Sequence, residues 1–167
     1  MQNYLTTTPN TILLKGRHHN KYEEGRVAAG KTIMPGMIIE SVGVDSNGVT
    51  TYQPHATRGG WAELAVAVES VFTADASPGG ADRGGTIDDA YQAGELVRFH
   101  ICQPGDELYM LLKTANHALI TSSLVSDGAG GLEIFSSTYN KLFKSLEDNN
   151  NSSGANARIR VRALGPN

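Results

Sequence analysis

Four groups of residues in this chain carry side chains able to do chemistry. His18 and His19 are adjacent. On an extended segment they point to opposite sides, whereas a two-histidine metal site uses i, i+4 spacing on a helix, so the pair reads as part of a solvated or interface loop. Asp88 and Asp89 form a carboxylate pair, a pattern that serves acid/base chemistry or holds a hard cation. They lie in the turn-rich stretch between Gly84 and Gly94, where adjacent carboxylates more naturally cap backbone N–H groups and fix the loop. Cys102 is the sole cysteine and reads as mid-strand, on the face shared with Arg98 and His100, a buried or wall position rather than that of a nucleophile; His55, His100 and His117 are scattered. Arg158, Arg160 and Arg162 recur every second residue. On one strand face they repeat every ~6.6–7 Å, either as a solvated edge that deters aggregation or as an ionic contact with an acidic surface.

No phosphate-binding loop is present, because none of the glycine pairs at 59–60, 79–80 and 84–85 precedes the Lys-Ser/Thr that cradles phosphate. No Gly-x-Ser-x-Gly elbow occurs either. Trp61 opens an alternating stretch and reads equally as a core plug or a contact anchor. The expectation is a chain that is not an enzyme and needs no cofactor or metal. A single cysteine leaves no intrachain disulfide and no cysteine-based zinc site.

The elements that must position these residues read as strands. Met37–Val44 and Val49–Tyr52 flank Asp45-Ser46-Asn47-Gly48, where Asn-Gly is the strongest short-range hairpin signal. Residues 61–72 alternate, with Leu64, Val66, Val68 and Phe72 on one face. Residues 95–103 and 107–113 read as a hairpin around Pro104-Gly105-Asp106, and a further pair flanks Asp127 to Gly131. Residues 17–35 read as an extended loop, 73–85 as an exposed one, 141–146 as a short strand or one helical turn, and 148–156 as a polar loop. The chain closes on a strand over 158–164, with Ile159, Val161 and Ala163 inward. About nine or ten strands joined by short turns indicate an antiparallel barrel or sandwich, and βαβ alternation is absent.

The 167 residues suit a single domain. Glycine is abundant, at 19 residues, as turn-rich β proteins require. Met1 to Asn10 lacks a basic patch followed by an apolar run, so no secretory leader is expected, and no apolar run is long enough to span a membrane as a helix. The formal net charge is −3, which argues against a nucleic-acid binder, whose affinity comes from clustered lysine and arginine. Neither nucleic acid nor membrane is expected as a partner.

Taken in order, several segments resemble the head-decoration (capsid cement) proteins of tailed bacteriophages. They are the stretch from Thr11 to Asn20, Met34-Pro35-Gly36-Met37, Pro54-His55-Ala56 before Gly59-Gly60, and Ala67-Val68-Glu69. The series continues with Ile87 to Val97, Pro104 to Glu107, Leu124 to Gly128, and Ala157 to Arg162. The resemblance implies a mainly β, β-tulip-like domain on the outer surface of an icosahedral head. It implies a homotrimer bound to the major capsid protein, made in the host bacterial cytoplasm, with an N-terminal arm lying on the capsid lattice.

On that view the chain divides into an extended arm, 1–20, and a β-rich domain, 21–167. Ile12, Leu13 and Leu14 have no evident core of their own, and an arm that adds a strand to a neighbour buries them and pairs their backbone. The expected capsid-binding residues are then Thr11, Ile12, Leu13, Leu14, Lys15, Arg17, His18 and His19, with Arg158, Arg160 and Arg162 as a charged contact strand. The alternative is a carbohydrate- or ligand-binding β module for host attachment, using Trp61 and the tyrosines Tyr22, Tyr52, Tyr91 and Tyr109 as stacking surfaces.

Overall fold

The computed structural model describes residues 9–16, 21–69, 86–135, 137, 139–152 and 157–164. Every helix or strand among them is a strand. Their order is β1 (Leu13–Lys15), β2 (Tyr22–Val27), β3 (Ile38–Val44), β4 (Thr50–Pro54), β5 (Ala65–Ala67), β6 (Leu96–Ile101) and β7 (Glu107–Leu112). After these come β8 (Asn116–Ala118), β9 (Ser123–Ser126), β10 (Leu132–Ile134), β11 (Phe143–Ser145), β12 (Asn149–Asn151) and β13 (Ala157–Ala163).

They build two closed rings. β2-β4-β3-β5-β6 form a closed barrel, with β2 pairing antiparallel to β6 and parallel to β4. In the second sheet, ordered β1-β7-β10-β9-β11-β13, the further β7–β13 pairing joins β13 back to β7. β1 is an added strand on β7, and β8 with β12 makes a two-stranded ribbon.

The barrel architecture agrees with expectation, but not every strand pair is antiparallel: β2–β4 and β7–β10 run parallel. The turns at Asn47-Gly48 and Asp127–Gly131 are hairpins, β3–β4 and β9–β10. In the first, Asp45 Oδ1 accepts from the N–H groups of Asn47 and Val49, and Gly48 takes a positive φ of 77° that suits glycine. Residues 141–146 supply β11, a strand and not a helical turn.

The turn at Pro104-Gly105 is different. It was expected to close a hairpin, yet β6 belongs to the first barrel and β7 to the second, so this turn is the joint between them. Residues 17–35 are not wholly loop, because Tyr22–Val27 forms β2. Its polar face looks outward, while Gly25 lets the strand lie against Tyr52: a Cβ there would stand 2.3 Å from the ring. Of the expected strand over 61–72, residues 70–72 lie outside the described residues and the rest narrows to Ala65–Ala67, while the polar loop over 148–156 contains β12.

Two apolar clusters fill the rings. Val27, Ile39, Ala65, Ala67, Val97 and Phe99 fill the first. Leu108, Met110, Leu124, Leu132, Phe143 and Ile159 centre the second, and Ile38, Val66 and Val68 of the first barrel's chain segments join it. β3 and β5 therefore face a core on each side. This explains why Ala65, Val66 and Ala67 are all buried, as in a strand covered on both faces.

The N-terminal expectation is corrected. Ile12 is 0% exposed and part of the second core, Leu13 pairs with Leu108, and Lys15 pairs with Glu107. The Ile12 N–H donates to Glu69 at 3.0 Å, and Tyr109 N–H donates to the Ile12 carbonyl at 2.8 Å. A three-residue apolar run has found its partner strand within its own chain. Residues 9–16 are therefore part of the domain and not of a free arm; Arg17, His18 and His19 lie outside the described residues.

Candidate functional site

The seam between the barrels holds the buried polar chemistry. His55 Nδ1 lies 2.8 Å from Ser126 Oγ and its Nε2 lies 3.0 Å from the Trp61 carbonyl. His100 Nε2 lies 2.8 Å from Asp106 Oδ2, which also accepts from Gln103 N–H. Backbone bonds stitch the same seam: Ile38 N–H to Gly130 O at 2.7 Å, and Gly59 N–H to Ser126 O at 2.8 Å. Such groups, buried in pairs, fix one docking angle between the two barrels.

Cys102 is buried beside this seam, and desolvation, aided by Asp106, pushes its thiol far above the ordinary range. A thiol held neutral is a poor nucleophile, as its wall position predicted. Among the described residues no group of three or more His, Cys, Asp or Glu is placed to hold a metal ion. Asp89 caps its turn as expected, accepting from Thr86 N–H and Oγ1.

The arginine ladder does not sit on the solvated edge that one reading of the sequence expected. β13 lies between β7 and β11 and is not an edge. Arg162 donates to Glu107 at 2.8 Å, and Arg160 stands 3.6 Å from Glu147. The Arg158 side chain is only 7% exposed. It donates to the carbonyls of Pro35 and Ile87 and reaches Asp88, and burial lowers its pKa. The three cations are engaged within their own chain.

Glu133 on β10 is likewise almost buried and gripped by two cations, Arg58 through a forked contact and Lys113 at 3.1 Å. Burial pushes its carboxyl up, but the two cations outweigh burial and hold it below the ordinary 4.5.

Of the expected arm residues, Ile12 is withdrawn from any outside partner. Thr11 bonds to the Leu13 carbonyl, Leu13 and Leu14 are half-buried, and Lys15 is exposed. Two surface features went unread. One is a shallow groove of ≈ 190 Å³ whose apolar walls come from Trp61, Ala62, Leu64, Cys102, Leu142 and Leu164, with Glu63 and Lys141 as its charged residues. Trp61 is 57% exposed there, and so is not a core plug. The other is the turn after β8, where Leu119 and Ile120 are 53% and 57% exposed. Two adjacent large apolar residues before the polar run Thr121-Ser122-Ser123 were its signal in the sequence.

No family model matches the chain, and no curated protein matches it. Its fold is similar to that of a solved structure, the N base of the head fiber gp8.5 of bacteriophage phi29, with a TM-score of 0.55. The likeness covers 86% of this chain and 94% of that chain at 6% sequence identity.

Proposed function

We propose that this chain is a structural protein of a tailed-bacteriophage virion that binds the outside of the assembled head. There it holds neighbouring major capsid proteins together as a trimeric cement. One observation carries the reading: the fold extends over nearly the whole of a phage head fiber base. The ordered decoration-protein-like segments support it independently. Because Ile12 to Lys15 serve the chain's own sheet, attachment runs through the folded body of the domain and not through a loose N-terminal strand.

The work is done by binding, without turnover. A protein that binds the assembled lattice and not the free subunit stabilises the lattice by mass action, by about 2.7 kcal/mol per site at a free concentration a hundredfold above Kd. Three linked footprints raise avidity by a factor of roughly 10²–10⁴.

The test is to add purified chain to expanded heads that lack it. Co-sedimentation at saturable stoichiometry, density on the outer surface by electron microscopy, and a higher temperature of head rupture are expected. Failure to bind expanded heads, or density confined to the tail or portal vertex, overturns the reading.

A further inference from the structure

The exposed apolar turn and the apolar groove are complementary, and we infer that the Leu119–Ile120 turn of one copy seats in the Trp61 groove of the next copy, joining copies head to tail. This deepens the trimeric reading proposed above and rests on it.

The turn is built to present its side chains. Ile120 N–H donates to Asp148 Oδ1, Thr121 N–H donates to the Ser145 carbonyl at 2.9 Å, and Leu119 N–H donates to Ser122 Oγ at 3.1 Å. Thr121 sits at a φ of 71°, a conformation a β-branched residue avoids. Strain of this kind persists where the surroundings over-determine it and gathers at functional places. Here the outcome is a rigid turn that holds two large apolar side chains in water.

The groove has the right size and lining. An apolar cavity of about 150 Å³ takes up a benzene molecule, so ≈ 190 Å³ admits one or two branched aliphatic side chains. Each rim carries one acid and one base. Glu63 and Lys141 flank the groove; exposed Asp148 anchors the turn, and exposed Lys144 pairs with Ser123 beside it. Opposite charges can therefore meet twice around the apolar centre, which favours one register.

Within one molecule the two features do not meet, since neither Leu119 nor Ile120 lines the groove and both are exposed. Lys141 and Leu142, before β11, belong to the groove, while Ser145, at its far end, holds the turn. They are separated by the length of that three-residue strand, about 10 Å. A knob and a socket at different places on one subunit make a heterologous contact, which closes into a ring when the rotation allows.

Trp61 is the sole tryptophan, so its emission reports the groove directly. The wild-type chain is expected to scatter light as a multi-chain species with blue-shifted emission. Ile120→Asp and Trp61→Asp should each weaken assembly at least about tenfold with far-UV circular dichroism unchanged. Ile120→Val should retain assembly. Mixed together, the two Asp variants regain one intact contact and should form a two-chain species. A wild-type chain that stays single at every concentration, assembly indifferent to both variants, or an emission shift driven by oligosaccharide in place of self-association each overturns the contact. Head binding, scored separately by co-sedimentation, tells that failure apart from failure of the virion reading.

Discussion

His100 and Asp106 meet across the turn that links the barrels, Nε2 to Oδ2 at 2.8 Å, with each residue only 1% exposed. One sits on the last stretch of the first barrel, the other immediately before the second. Asp106→Ala leaves a buried imidazole nitrogen and the Gln103 N–H without their acceptor. The expected loss is about 1–3 kcal/mol, roughly 3–10 °C in Tm for a chain of this size. Thermal melts followed by circular dichroism check it, and an unchanged Tm refutes the joint's importance.

Ile12→Ala separates a core residue from a capsid-contacting one. Deleting a fully buried isoleucine costs about 2–5 kcal/mol, seen as a lower urea midpoint. Head occupancy at temperatures where the variant is folded should match wild type. Lost occupancy with normal stability would restore the arm.

Arg158 spans two backbone carbonyls from separate segments, Pro35 and Ile87. Its planar fork cannot be copied by a point-charge ammonium. Arg158→Lys is therefore expected to destabilise nearly as much as Arg158→Ala, by about 1.5–3 kcal/mol; full rescue by lysine in chemical denaturation contradicts the assignment.

Glu133 ties stability to acid. Its carboxyl is held below 4.5 in the folded chain by Arg58 and Lys113, despite burial. A group with a depressed folded pKa contributes fully above its unfolded value and loses that contribution as pH falls through the folded one. Glu133→Gln should thus flatten the decline in Tm below pH 4.5. Melts on either side of that pH decide the matter; parallel curves for variant and wild type count against it.

Cys102, with its thiol pushed up by burial, should resist thiol-specific reagents in the folded chain and react once denaturant exposes it. Rapid native labelling is the contrary result.

What the sequence made legible was local. Asn47-Gly48 and Asp127 to Gly131 carry their turn chemistry in the turn itself, so both hairpins could be read. The alternation of Ile159, Val161 and Ala163 likewise marked a strand with one buried face. Three features depended on distant partners. Ile12 looked unpartnered because β7 lies far along the chain. Pro104-Gly105 looked like a hairpin because the strands that pair with β6 (β2 and β5) and with β7 (β1, β10 and β13) all lie far from the turn in sequence. Glu23, Glu24 and Gly25 hid β2, since only its Gly25–Val27 end packs inward, with Gly25 pressed against the Tyr52 ring. The arginine ladder was visible, but its acceptors, Glu107, Glu147 and the Pro35 carbonyl, were not.

The order of the strands bears on how the chain emerges from the ribosome. All five staves of the first barrel lie between Tyr22 and Ile101, so that ring can shut while translation continues. The second needs β13 between β7 and β11, and must wait until residues 157–163 leave the exit tunnel. Until then Ile38, Val66 and Val68 remain without the core they help to fill. A nascent chain stalled before β13 is accordingly half a protein with a sticky flank, the species most open to aggregation or chaperone capture.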